Sequence, residues 1–238
     1  MNRPLVASGW ILVATLVLVA TLLPFDPALS ERAQGLSPSV VEFNRRITDL
    51  GSFRWMIYGS GLLVIAAYIA QSVRWRTTFS AKMKSAGRLS LYLFLTIGSA
   101  SALVHLLKFL IGRARPELLI DYGAYSLTPF TGDNLFESFP SGHSAAIGSF
   151  CGAFAMLVPR LRPYLVGLAL LIGASRVVVG AHYPSDVAAG LLLGLWIALM
   201  MAFVFARWNW LFRIDAHGWP ISKYPPGYRP SGQNAGDR

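Results

Sequence analysis

The sequence predicts an all-α fold, a polytopic membrane bundle of six transmembrane helices. Hydrophobic residues fill 54% of the 238 positions and charged residues only 13%, about half the ~25% usual in a soluble protein. Mean hydropathy is +0.50, which leaves too few charges to cover a water-facing surface of this size. The apolar residues also gather into six stretches close to the ~20 residues that cross a bilayer core. The single cysteine, Cys151, excludes a disulfide framework and a thiolate-rich metal site.

The first stretch, Leu5 to Leu23, follows Arg3 and ends before Pro24 and Pro27. It exceeds the apolar length of a cleaved signal peptide and is expected to stay as a helix. Trp55 to Val73 and Val187 to Ala206 hold no ionisable residue, and Leu89 to Leu107 holds only His105. Ser141 to Val158 holds only His143, and Pro163 to about Ala181 only Arg176. Together they form one membrane domain over 1–206. A cytoplasmic tail over 207–238 follows, rich in Pro, Gly and aromatics, interfacial at first and disordered at its end. Gly148/Gly152 and Gly190/Gly194 have the spacing that packs helices closely within one chain.

The formal net charge of +10 does not point to nucleic acid, because the basic residues lie between the apolar stretches and form no single patch. With a cytoplasmic N-terminus, thirteen of the Lys and Arg residues fall on the inside, among them Arg74, Arg76, Lys82, Lys84, Arg88, Arg160, Arg162 and Arg207. The positive-inside rule therefore puts both termini in the cytoplasm. The outside segments are then about 24–54, 109–140 and 180–186. The middle one is long enough to be functional or disordered.

Ionisable residues at membrane depth are costly and mark function. Here they collect at the outer end. Lys108 closes the third span and Arg115 follows it. Ser141, Gly142 and His143 open the fourth, Arg176 ends the fifth, and His182 precedes Asp186 at the start of the sixth. Three permanent cations without carboxylates beside them repel one another unless an anion sits between them. A phosphate suits guanidinium forks, and the helix start at Ser141–Gly142 adds backbone N–H groups. Asp186, four residues after His182, is placed to orient one imidazole nitrogen so that the other attacks phosphorus. His143 has no acid near it in sequence and suits proton donation to the leaving oxygen. No metal-ligand spacing is present, so no cofactor is expected.

Lys108 to Pro116, Pro140-Ser141-Gly142-His143 and Ser175 to Asp186 resemble, complete and in order, the K-x6-R-P, P-S-G-H and S-R-x5-H-x3-D motifs of the type 2 phosphatidic acid phosphatase superfamily. The resemblance covers about residues 88–206. It implies a metal-independent membrane phosphatase acting on a lipid phosphate or pyrophosphate: phosphatidic acid, phosphatidylglycerophosphate, undecaprenyl pyrophosphate or lipid A. It implies that Lys108, Arg115 and Arg176 bind phosphate with Ser141 and Gly142 assisting. His182 would be the nucleophile that forms a phosphohistidine, Asp186 its orienting partner and His143 the general acid. A lipid phosphotransferase using the same intermediate and a non-catalytic anion- or lipid-binding membrane protein are the competing functions. Loop economy and the charge count suit a bacterial inner membrane with an outward-facing site.

Nearby residues are read more plainly. His105, one turn before Lys108, is placed to line the pocket floor, but a satisfied core histidine is the favoured expectation; Arg113 is expected to touch the headgroup or pair with Glu117 at the surface. Asp121, Asp133 and Glu137 are expected to be solvated loop acids. Trp10, Trp55 and Trp196 are expected to pack or sit at the interface.

Overall fold

The computed structural model describes residues 3–72 and 77–223, with side chains from 83 onward in the helix that starts at Thr77. The expectations for Arg74, Arg76, Lys82 and the tail beyond Lys223 lie outside the described residues. Nine α-helices and one hairpin are described: α1 (Arg3–Leu22), α2 (Asp26–Gln34), α3 (Pro38–Asp49), α4 (Phe53–Ser72), α5 (Thr77–Ile111), α6 (Leu119–Tyr122), α7 (Gly142–Leu157), α8 (Arg162–Val178), α9 (Pro184–Arg207), β1 (Phe212–Ile214) and β2 (Pro220–Ser222).

Five segments are long and apolar enough to cross a membrane: Arg3–Gln34, Pro38–Ser72, Met83–Ile111, Pro159–Val178 and Pro184–Arg207. The expected fourth span is α7, and it is shorter. Its 16 residues rise about 24 Å against a ~30 Å hydrocarbon core. Ten of its residues are buried, so α7 is the inner helix of the bundle and meets mainly protein.

Small residues make that central position possible. Gly148 and Gly152 of α7 face Leu191, Leu195 and Ala198 of α9, while Gly190 and Gly194 of α9 lie against Ser141, Ser144, Ala145 and Ser149 of α7. The two backbones therefore run nearly in contact. A Cβ on Gly194 would strike the Ala145 carbonyl oxygen and the Ser149 amide. On its other sides α7 meets α5 and α8. Helix α4 packs on α5, α1 on α9, and α3 on α8. Trp196 Nε1 donates to Ser8 Oγ (2.9 Å) and ties α9 to α1.

Successive long helices alternate in direction. The C-termini of α5 and α8 and the N-termini of α4, α7 and α9 therefore share one end, where one cavity is lined by residues of all of them or their adjoining loops. At the other end Tyr92 is fully buried, its ring edge-on to Phe205 and Phe212. The start of the sequence-expected tail is built into this end: Leu211 and Phe212 are buried in the core, and β1 pairs antiparallel with β2. Arg3 lies beside Gly218, so both ends of the described chain meet here.

The long segment after α5 is ordered by backbone bonds. Gly112, at φ 62°, turns the chain out of α5 in the left-handed region that suits glycine. Thr128 N then donates to Gly112 O (2.7 Å), Ala114 N to Ser126 O (3.1 Å), Arg115 N to Leu135 O (2.9 Å) and Ser138 N to Arg113 O (3.0 Å).

The α7–α9 contact has little room for extra volume. Gly194→Ala is expected to lower stability by about 1–3 kcal/mol, read as a drop in thermal midpoint in detergent. An unchanged midpoint would show that these helices separate freely.

Candidate active site

The cavity at the shared end has a volume of about 680 Å³ and is lined by Lys108, Arg115, His143, Arg176 and His182, together with Gly142, His105 and Asn134. Asp49 at the end of α3, Ser52 of the link and Arg54 at the start of α4 complete its outer wall. Motifs separated by more than sixty residues thus converge on one space.

The sequence-expected phosphate ligands are held by their backs. Lys108 is buried, and its Nζ donates to Glu137 O (2.6 Å). Arg115 is fixed by Asn134, with Nε on its carbonyl (2.7 Å) and a terminal nitrogen on its Oδ1 (2.8 Å). Arg176 gives one terminal nitrogen to Thr48 Oγ1 (3.1 Å), and its buried Nε has no hydrogen-bond partner among the described residues. A buried guanidinium N–H with no acceptor among the described residues suits an anionic ligand. Asp49 also lines this space, so the cations are not free of carboxylates as the sequence suggested. One carboxylate cannot balance the four cations Arg54, Lys108, Arg115 and Arg176, and the cavity stays cationic.

Ser141 stands behind Gly142 and does not line the cavity. It caps α7: its Oγ accepts from Ser144 N (3.4 Å) and bonds Ser144 Oγ (2.9 Å), and its own N–H donates to Asp186 O (3.0 Å). That last bond joins the start of α7 to the start of α9. Helix α7 therefore presents its N-terminal backbone, the favourable end of its dipole, toward the cavity.

His182 is 3% exposed. Burial pushes its imidazole down to about 4; Asp186 opposes the shift, and Arg176 and Lys108 add to it. Its Nδ1 lies 3.8 Å from Asp186 Oδ2, beyond hydrogen-bond reach, and has no other partner among the described residues. Asp186 is fully buried and occupied elsewhere. Its Oδ2 accepts from Ser138 Oγ (2.6 Å) and Tyr183 N (3.0 Å), and its Oδ1 pairs with Arg113 (2.5 Å). The bond to Tyr183 N is a helix cap, so the capping role of Asp186 and its place beside His182 coexist.

Two expectations are corrected here. Arg113 is 3% exposed and neither reaches outward nor pairs with Glu117. It bridges Asp186 and Asp26 (2.8 Å), also bonds Ser185 Oγ and Ala124 O, and stacks over the Tyr183 ring at 4.3 Å. Burial alone would weaken its hold on its proton, but Asp186 and Asp26 outweigh that and raise it. A buried carboxylate pair demands such a cation. His105 is exposed within the cavity and is not a satisfied core residue. The cause is helical spacing: Ser101, Val104, His105 and Lys108 share one face of α5.

Asp26, Ser185, Ser138, Thr48 and Asn134 were not legible as site residues. The one available signal was Asp26 itself, an acid at the end of an apolar span. Asp133 acts locally, accepting from Leu135 N (2.9 Å). Trp55 packs edge-on to Phe150.

The pattern that defines the PAP2 superfamily matches residues 89–210. A lipid A 1-phosphatase of Rhizobium johnstonii is 40% identical over 205 residues, covering 86% of this chain and 83% of its own length. A lipid A 1-phosphatase of Rhizobium etli is 43% identical over 78% of this chain and 80% of its own. In fold, the chain resembles the crystal structure of a transmembrane PAP2-type phosphatidylglycerolphosphate phosphatase from Bacillus subtilis, with a TM-score of 0.60 and 23% identity over 87% of this chain and 98% of the other. The three motifs found in the sequence lie inside the matched region and meet at one cavity. The chain belongs to the PAP2 superfamily and is a membrane-embedded hydrolase of phosphoric monoesters.

Proposed function

We propose that this chain removes the 1-phosphate of a lipid A-type glycolipid at the outer face of a bacterial inner membrane, through a phosphohistidine on His182. The observation that carries this reading is the convergence of Lys108, Arg115, Arg176, His143 and His182 on one cavity. Relatives of 40% and 43% identity, spanning most of both chains, bear the name lipid A 1-phosphatase, and they support the choice of headgroup. Asp49, Ser52 and Asn134 on the cavity wall offer hydrogen bonds of the kind a sugar takes.

In the proposed reaction the three cations hold the phosphoryl oxygens. His182 Nε2 forms a bond to phosphorus as the bond to the sugar oxygen breaks, and that oxygen takes its electron pair and a proton from His143. Water then attacks the phosphohistidine, His143 accepts its proton, and inorganic phosphate leaves. A low imidazole pKa keeps the His182 lone pair free at neutral pH.

The same reading places six crossings in the membrane, with α7 as the protected fourth and both termini cytoplasmic. Helix alternation puts Lys84, Arg88, Arg160, Arg162 and Arg207 at the end opposite the cavity, as the positive-inside rule asks of the cytoplasmic side.

Purified protein in detergent is expected to release phosphate from a lipid A 1-phosphate with kcat/KM ~10²-fold or more above phosphatidic acid, phosphatidylglycerophosphate or undecaprenyl pyrophosphate, a margin of about 2.7 kcal/mol in transition-state binding. Equal turnover of any of these would overturn the headgroup assignment. His182→Ala is expected to remove ~10³-fold or more of the rate while the protein still inserts; retained turnover would end the nucleophile assignment.

Arg176→Lys keeps the charge and loses the fork. Its kcat is expected to fall about 10²-fold, and an unchanged rate would make Arg176 structural.

The pH dependence of His182 follows from its lowered pKa. The neutral ring contributes stability that is complete above the free value of ~6.5 and is lost as pH falls through about 4. Titration by 15N NMR in micelles, with His182→Asn for assignment, should show a neutral ring down to about pH 5. A midpoint near the free value would contradict the buried-nucleophile geometry.

A further inference from the structure

Behind the cavity lies a second charged cluster that none of the three motifs contains in full. Asp26, at the start of α2, is fully buried. Its Oδ2 pairs with Arg113 (2.8 Å) and accepts from Ser185 Oγ, and its Oδ1 accepts from Ser185 N (3.0 Å). Arg113 carries its other terminal nitrogen to Asp186 (2.5 Å). Two buried carboxylates therefore share one guanidinium, and the cluster keeps one net negative charge. It sits directly behind His182, whose Nδ1 is 3.8 Å from Asp186 Oδ2 and has no hydrogen-bond partner among the described residues.

We infer that Asp26 is a positioning residue for the phosphoryl-transfer step: it occupies half of Arg113, so that Asp186 keeps the uncompensated charge that stabilises the cation formed on His182. This inference rests on the phosphohistidine reading above. When Nε2 bonds to phosphorus and the leaving oxygen takes its electron pair and the proton of His143, the proton on Nδ1 stays, and the ring becomes a cation. The cations that share the cavity with His182 oppose that change: Lys108 of α5, Arg115 of the following loop, Arg176 of α8 and Arg54 of α4, with His143 of α7 and His105 of α5 beside them. Asp49 is a carboxylate on the cavity side, but it shares the outer wall with Arg54 and is outnumbered by the cations there, so the favourable charge must come from behind. Asp186 alone, paired with Arg113, would be neutralised. With Asp26 present, the cluster as a whole remains an anion. Low local dielectric gives that single charge a large effect.

The geometry also gives Asp26 a mechanical part. It holds Ser185 at the start of α9, next to the helix cap made by Asp186 on Tyr183 N. The helix pair α1–α2 is thereby fastened to the segment that carries the proposed nucleophile. A purely structural anchor and a charge-balancing residue differ in what they change, and the test separates them.

Asp26→Asn is expected to lower kcat for lipid A 1-phosphate by about 10²-fold with little change in KM. Asp26→Asn combined with Arg113→Gln removes one charge of each sign and restores the net negative charge on Asp186. This double variant is expected to recover at least about tenfold of the lost kcat. The His182 midpoint, read by 15N NMR without any turnover, should move below its wild-type value in Asp26→Asn. If Asp26→Asn lowers only the thermal midpoint and leaves kcat and the His182 titration unchanged, the charge role is overturned. A double variant that folds but recovers no activity, or that fails to fold while the single variant's titration is unmoved, overturns it equally. Inactivity of the wild type toward every lipid phosphate would instead strike the functional reading, and the titration would still score this one.

Discussion

The contact between α7 and α9 is the constraint on which the site depends. Two helices whose glycines face each other's backbones can lie close enough for Ser141 N to donate to Asp186 O across the helix starts (3.0 Å). That bond fixes His143 and His182 relative to each other, though they are far apart in the chain. Large side chains in this seam would push the helix starts apart. Helix α7 is buried because of this packing, and its burial permits a length shorter than a bilayer core requires.

The charged groups at this end form two layers of opposite sign. The front layer, Lys108, Arg115 and Arg176, lines the cavity and is held from behind by Glu137 O, Asn134 and Thr48. None of these holding contacts neutralises a charge, because each acceptor is a carbonyl or a hydroxyl. The cations are therefore fixed in place by neutral partners, and only Asp49 on the cavity wall offsets part of their attraction for an anion. The rear layer, Asp26, Arg113 and Asp186, is sealed from water and carries the opposite excess. His182 lies between the two layers. An imidazole in that position feels a field along the direction in which positive charge would develop during attack on phosphorus. Preorganised charge of this kind costs no rearrangement when the reaction occurs.

Much of this was legible in the sequence because membrane chemistry is sparse. The helices at Leu5, Trp55, Leu89, Pro163 and Val187 stand out from apolar length alone, and each ionisable residue inside or beside them attracts suspicion by its cost. Lys108, Arg115, His143, Arg176 and His182 attract notice in that way, whereas Asp49, Ser52, Arg54 and Asn134 of the same cavity do not. The rear layer was hidden for a physical reason. Arg113 lies in a loop, where a cation costs nothing by itself, and its inward turn depends on Asp26 arriving from a helix eighty-seven positions earlier. Sequence spacing carries no information about such a meeting. His105 was misjudged for a related reason: its helical face becomes a cavity wall only because α4 and its preceding link stand opposite. The hairpin at Phe212 escaped notice because three-residue strands carry too short a pattern to read.

The rear layer also bears on why the N-terminal helices belong to the working unit, although the superfamily pattern begins only at residue 89. A phosphate cradle of three cations can be assembled from α5, α8 and the loop after α5 alone. Neutral His182 and paired Asp186 would then face it with no anion in excess. Asp26 supplies that excess, and it comes from α2. Thr48 and Asp49 come from α3, and Arg54 from α4, so the chain before the matched region contributes to both layers. The matched region carries the proposed reacting groups, and in the proposed mechanism the preceding helices set the charge balance in which those groups would act.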